Sequence, residues 1–149
     1  DLPYDEGAAF FDMLRAGGVE GILMVAPNSA ERRLEEIGRR AGGFVYCVSL
    51  LGITGQEGGL YDRMEDYIKR VRRHVTVPLA LGFGIDGPEK AAAVAPNVDG
   101  VVVGSAIVRL VERYGNDPKR LVEEVRAFTT SIRQAIGTEE RQGTLPSSS

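Results

Sequence analysis

The chain is poor in the residues from which several common sites are built. It has one cysteine, Cys47, in 149 residues, which excludes an intrachain disulfide framework and a cysteine-based zinc centre. A single histidine, His74, excludes a histidine-rich metal site. No apolar run approaches the roughly 20 residues of a membrane-spanning helix. No secretory signal pattern opens the chain, which begins Asp1-Leu2-Pro3 without a Met. Excess charge of one sign is lacking as well. The formal net charge is −3, so no general attraction to nucleic acid or to an anionic membrane is expected. What remains, 43% hydrophobic and 26% charged, is the composition of one ordinary soluble domain or of part of a larger one.

Glycine is the residue in excess, at 19 of 149, about 13% against a typical 7%. The glycines are not spread as in a linker, and many sit just after apolar runs. Four such runs stand out: Gly21 to Val25, Gly43 to Val48, Val77 to Gly82 and Val98 to Val103. Each is short, rich in Val, Ile or Leu, and nearly continuous rather than alternating, which predicts parallel strands buried on both faces. Amphipathic stretches separate them. Helices are expected over Asp5 to Arg15, from a Ser29 cap to about Ala41, over Leu60 to His74, from Gly87-Pro88 onward, over Ser105 to Tyr114 and over Asp117 to Ile136. Repeated strand–helix units imply right-handed crossovers and a parallel sheet with helices outside.

Two α/β architectures fit this order, a doubly wound open sheet and half of a (β/α)8 TIM barrel. The barrel needs about 250 residues and eight strands, and four strands are expected here. The chain also opens abruptly, as if on the tail of an upstream strand. The half-barrel is favoured, as a C-terminal half over residues 1–136, with residues 137–149 a polar disordered tail.

Three glycine loops follow expected strands. They are Ser49 to Gly59, Gly82-Phe83-Gly84-Ile85-Asp86-Gly87, and Gly104-Ser105-Ala106, the last opening directly into a helix. A phosphate needs several converging N–H donors, and glycine lets the backbone come close to the anion. A helix N-terminus adds unpaired N–H groups and the positive end of a dipole. Ser105 adds a hydroxyl. No Lys or Arg lies in the second or third loop, so recognition is expected to rest on backbone dipoles. One such loop is an ordinary strand–helix turn as often as a ligand site; three at successive strand ends are much stronger. Gly58-Gly59 can also serve as the hinge of a mobile lid.

This series resembles the tryptophan synthase alpha chain family. The resemblance is carried by Gly52-Ile53-Thr54-Gly55 after a Phe-Val-Tyr-Cys-Val-Ser strand, then Gly82-Phe83-Gly84-Ile85, then Gly104-Ser105-Ala106-Ile107-Val108. Asp1-Leu2-Pro3 and Ala26-Pro27-Asn28-Ser29 also match, and the likeness runs in order to about residue 136. It implies a (β/α)8 barrel that cleaves indole-3-glycerol phosphate to indole and glyceraldehyde 3-phosphate in tryptophan biosynthesis. It implies a cytoplasmic location and a beta chain partner that receives indole and carries the pyridoxal phosphate, with no cofactor in this chain. It implies that Gly55, Gly84, Gly104 and Ser105 hold the substrate phosphate. Tyr46 and Thr54 then belong to the pocket and lid, Phe83 and Ile85 flank the phosphate, and Asp1, Pro3, Pro27 and Asn28 lie on loops that dock the beta chain.

The departures are as informative. The family's two catalytic carboxylates lie on the second strand and the loop after it. No acidic residue here matches them, so no catalytic residue is assigned in this segment and it is expected to be inactive by itself. Glu57 and Asp86 stand at the appropriate end of the sheet but read as solvated loop carboxylates. Leu50-Leu51 replaces residues that are polar or basic in some members, which bears on lid behaviour. The alternatives are another phosphate-binding barrel enzyme of biosynthesis and a non-catalytic phosphate-binding half-barrel. Other conspicuous residues read as structural. His74 is expected to complement a helix dipole, Arg70, Arg72 and Arg73 to form a solvated helix end, and Cys47 to pack as a small hydrophobe.

Overall fold

The computed structural model describes residues 4–48, 60–82 and 84–137. The sites expected at Asp1, Pro3, Thr54, Gly55 and Phe83, the carboxylate of Glu57, the Gly58-Gly59 hinge and the tail from residue 138 lie outside the described residues.

The chain alternates helix and strand: α1 (Tyr4–Ala16), β1 (Leu23–Val25), α2 (Glu31–Arg40), β2 (Val45–Val48), α3 (Leu60–Arg72), β3 (Leu79–Gly82), α4 (Pro88–Val94), β4 (Gly100–Val102), α5 (Ser105–Tyr114) and α6 (Pro118–Ala135). A 3₁₀ turn, Ala95–Asn97, which the apolar pattern did not predict, joins α4 to β4. All strand pairs are parallel and the order in the sheet is β1-β2-β3-β4. Neighbours in sequence are neighbours in space, with no reversal of direction across the sheet. This is the order of consecutive units of a (β/α)8 barrel and not that of a doubly wound sheet, which turns back at a switch point.

Each strand begins about two residues later than its apolar run. The expectation of strands buried on both faces needs correction. Register places Leu23, Val45 and Leu79 side by side, and Val25, Cys47, Leu81 and Val101 in the next row. The first six of these are buried under the helices. The alternate residues Met24, Tyr46, Val48, Ala80 and Val102 are partly exposed. The side chains of successive residues point to opposite faces, and the helices cover one face. In a closed barrel the other face packs on side chains from strands across the barrel; the four described strands leave it open.

The core lies between the sheet and its helices. Leu34 and Ile37 of α2, Met64, Tyr67, Ile68 and Val71 of α3, Ala91 and Val94 of α4 and Ile132 of α6 meet the covered face. Each large apolar side chain buried there contributes roughly 1.5–3 kcal/mol by leaving water. Gly38 lets α2 approach the end of α3, since a Cβ there would stand 1.9 Å from the carbonyl oxygen of His74.

Polar side chains fix the ends of the elements. Asp117 caps α6 by accepting from the Arg120 N–H at 3.2 Å, with Pro118 in the first turn. Ser29 does not cap α2; the N-cap is Ala30. Its hydroxyl accepts instead from the Ala26 N–H at 3.0 Å, closing the Ala26–Ser29 turn that the Ser29 N–H to Ala26 carbonyl bond also holds. Spent on that turn, the hydroxyl is not available to the helix. Arg70 and Arg72 are likewise not a merely solvated helix end. Arg70 donates to the Pro27 carbonyl at 2.5 Å, and Arg72 pairs with Asp99, which also accepts from the Leu79 N–H at 2.8 Å. His74, beyond the end of α3, meets Glu31 at 2.7 Å and so ties α3 to the start of α2.

Candidate functional site

The site is built by the loops that leave β3 and β4. These strands are adjacent and parallel, and Gly82 is in register with Val102. Gly84 and Gly104 each stand two residues beyond that pair, at equivalent steps on neighbouring chains. Both lie past the last paired residues of their strands, so the two loops leave the sheet side by side at one end. Gly84 has φ +78°, a left-handed conformation that a side chain would strain. Gly104 is the N-cap of α5.

The first turn of α5 follows Gly104 directly. The Ile107 and Val108 N–H groups donate to the Gly104 carbonyl at 2.9 and 3.1 Å. The N–H groups of Ser105 and Ala106 precede them and have no carbonyl one turn back. They form the positive end of the helix dipole, beside the exposed Ser105 hydroxyl. Backbone donors, a left-handed glycine and a hydroxyl thus face the same end of the same sheet. That arrangement suits a phosphate or another oxyanion.

Tyr46 lies on the open face of the sheet, one strand away. In register it opposes Ala80, but its phenol leans one step further along the strands and lies over Gly82. A Cβ on Gly82 would stand 2.0 Å from Tyr46 Oη and 2.4 Å from Cζ. Gly82 is therefore the seat of the ring, and the ring points towards the end of the sheet where Gly84 and Gly104 stand. Ile85 is 4% exposed and belongs to the hydrophobic core, so it anchors the loop after Gly84 by packing. Pro27 and the exposed Asn28 lie on the turn after β1, at the same end of the sheet, held by Arg70 and Ser29.

The structure adds to the loop carboxylate Asp86 a cation that the loop sequences did not offer. Asp86 is half-exposed and meets Lys90 at 2.9 Å, one helical turn on. The Lys90 ammonium, with a smaller contribution from Arg109, holds its carboxyl below the usual carboxylate range. The i,i+4 spacing of Asp86 and Lys90 was the available signal for this pair.

Other conspicuous groups serve the fold. Cys47 is fully buried, and burial pushes its thiol up to about 12. Tyr67, beside it, donates to the Val25 carbonyl at 2.9 Å. Among the described residues no cluster of three His, Cys, Asp or Glu side chains could hold a metal ion. No described helix is long and apolar enough to cross a membrane. A cavity of about 120 Å³ between α3 and α4, lined by Met64, Ile68, Leu81 and Val98 among others, lies on the helix side of the sheet, away from Tyr46.

Comparison with known proteins agrees with this geometry. The family model described as tryptophan synthase alpha chain matches residues 1–137. The tryptophan synthase alpha chain of Petrotoga mobilis is 41% identical over 133 residues, which are 89% of this chain and 52% of that protein. That of Halalkalibacterium halodurans is 45% identical over 138 residues, again 89% of this chain and 52% of that protein. Among solved structures, tryptophan synthase subunit alpha from Legionella pneumophila superposes with a TM-score of 0.78 at 29% identity, covering 91% of this chain and 49% of that one. A structure of the tryptophan synthase α2β2 complex from Pyrococcus furiosus gives 0.75 at 30% identity, covering 89% of this chain and 52% of that one. The chain spans about half the length of the relatives it matches, and its four strands are part of a TIM-barrel fold. It belongs to the tryptophan synthase alpha chain family.

Proposed function

We propose that this chain provides the phosphate-holding end of a site that cleaves indole-3-glycerol phosphate to indole and glyceraldehyde 3-phosphate, in tryptophan biosynthesis. The observation that carries the reading is the placement of Gly84 and Gly104-Ser105 at equivalent steps beyond adjacent parallel strands, with the first-turn N–H groups of α5 directly after Gly104. The Gly84 backbone, the Gly104 and Ser105 amides and the Ser105 hydroxyl hold the phosphate. Gly55 completes the grip, and Thr54 and Phe83 contribute the lid and one wall of the pocket. Tyr46 lines the floor, since its phenol lies on the open face below the glycines.

Retro-aldol cleavage needs a base within hydrogen-bond reach of the proton it removes. None of the residues assigned here is that base. The family resemblance assigns this work to a Glu and an Asp on earlier strands of the barrel, so residues 1–136 act as its C-terminal half and are inactive without them. A beta chain partner is supported by the α2β2 assembly named for the Pyrococcus furiosus relative. Pyridoxal phosphate belongs to that partner, and this chain needs no cofactor of its own. Asp1, Pro3, Pro27 and Asn28 face the partner, and a cytoplasmic location completes the reading.

The test is a titration of the ¹⁵N-labelled chain with glycerol 3-phosphate. The amide resonances of Gly84, Gly104 and Ser105 are expected to shift together and saturably, with glycerol as the uncharged control. Shifts confined to other residues, or equal shifts with glycerol, would defeat the assignment.

A further inference from the structure

The cradle raises an electrostatic difficulty. A phosphate monoester carries close to two negative charges, yet the loops after β3 and β4 contain no Lys or Arg. Asp86, only two residues after Gly84, adds an anion at the same end of the sheet. Left uncompensated, its carboxylate repels the ligand.

Two cations from the helices answer it. Lys90, in the first turn of α4, meets Asp86 Oδ2 at 2.9 Å. Arg109 comes from the other loop's helix. It stands four residues after Ser105 on α5, so both side chains share one helix face. Long helical side chains lean back towards the N-terminus, which carries the guanidinium towards the open amides. Its charge also acts on the Asp86 carboxylate across the gap between α5 and the loop after β3.

We propose that Arg109 and Lys90 are the cationic determinants of phosphate affinity at this site, and that Asp86 competes with the ligand for Lys90. The proposal rests on the reading of Gly84 and Gly104-Ser105 as the phosphate cradle. The amides set where the phosphate sits, and the three side chains set how strongly the field favours it. An empty site keeps Lys90 paired with Asp86, so its ammonium does not stand as a bare positive charge that would attract unrelated anions.

The experiment is the glycerol 3-phosphate titration of the full chain, read at the Gly84, Gly104 and Ser105 amides, in wild type, Asp86→Asn, Arg109→Met and Arg109→Lys. Unit charges one or two side-chain lengths from the ligand and open to solvent imply changes of about three- to tenfold at low salt. Asp86→Asn is expected to bind that much more tightly and Arg109→Met that much more weakly, while Arg109→Lys stays near wild type. The differences should shrink in 0.5 M salt, where the Debye length falls to about 4 Å. Thermal melting of each variant separates misfolding from an electrostatic effect, because a merely structural role does not change the salt dependence. Asp86 and Arg109 come from different elements, so one variant still reports if the other does not fold. If the wild-type amides respond and neither variant changes affinity, the proposal is wrong and the cradle stands. If the wild-type amides do not respond, the cradle falls and takes the proposal with it.

Discussion

Replacing Gly82 with Ala tests the geometry of the open face most directly. The new methyl would stand 2.0 Å from Tyr46 Oη, 2.4 Å from Cζ and 3.0 Å from Cε2, against ordinary contacts of 3.4–4 Å. The ring has to move by more than an ångström, and it can do so only by swinging out over the open face and giving up its cover of β3. Overpacking of this kind costs about 1–3 kcal/mol. The partial exposure of Tyr46 places the expected loss in the lower half of that range. Urea unfolding should show a lower midpoint at unchanged slope. The control is the same change in a Tyr46→Ala background, where the collision is gone and Gly82→Ala should be neutral or slightly stabilising through lost chain entropy. The coupling between the two sites is therefore expected to be at least about 1 kcal/mol. Tyr46→Phe should relieve little, because Cζ remains in the way. Equal costs in both backgrounds, or stabilisation by Gly82→Ala alone, would refute the reasoning.

Gly38→Ala should be worse, about 3 kcal/mol or more by urea unfolding, because the obstacle at 1.9 Å is the His74 backbone carbonyl and no side-chain truncation removes it. Asp86 has a folded pKa below its ordinary 3.8, first because Lys90 donates to it, so its stabilising contribution is present above 3.8 and is lost as pH falls through the folded value. Lys90→Met should accordingly raise the Asp86 carboxyl titration midpoint in NMR towards 3.8. Cys47 behaves in the opposite sense: its thiol is raised from 9.0 to about 12 by burial, so its contribution is full below pH 9.0 and declines as pH rises from there towards 12. The folded chain should be inert to a thiol reagent at pH 8 and should react once denatured; rapid labelling of the folded chain would contradict the burial of Cys47.

Most of the fold was legible because its signals are local. Asp117-Pro118 and Gly87-Pro88 announce helix starts by chemistry that acts within one turn, and α6 and α4 begin where these residues require. Ser29 announced a cap by the same logic and was misread. Its hydroxyl has two neighbouring tasks, a helix start and the Ala26–Ser29 turn, and the local sequence does not rank them. Arg70 and Arg72 were misread for a different reason. Their partners, Pro27 and Asp99, are 43 and 27 residues away and are brought close only by the packing of α3 against the sheet. Burial on both faces was inferred from continuous apolar runs, yet Met24, Tyr46 and Val48 owe their apolar character to a face that four strands do not close.

The candidate site divides along the same line. Gly84 and Gly104-Ser105 were singled out from sequence because each is a strand–turn–helix signal complete within a few residues. What sequence could not supply is their mutual register, on which the proposed site depends: Gly82 opposite Val102 brings the two loops out of neighbouring strands side by side. It also could not show that the ring of Tyr46 needs Gly82 beneath it, a diagonal contact across 36 residues of chain. The absence of cations holds for the loops and not for the helices that follow them. Lys90 and Arg109 lie one turn inside helices whose starts the loops define, so a helical period applied to Asp86 and to Ser105 would have reached both. A glycine loop that opens a helix is thus best read together with that helix's first two turns, where backbone must touch the anion and the countercharge can stand one step behind it.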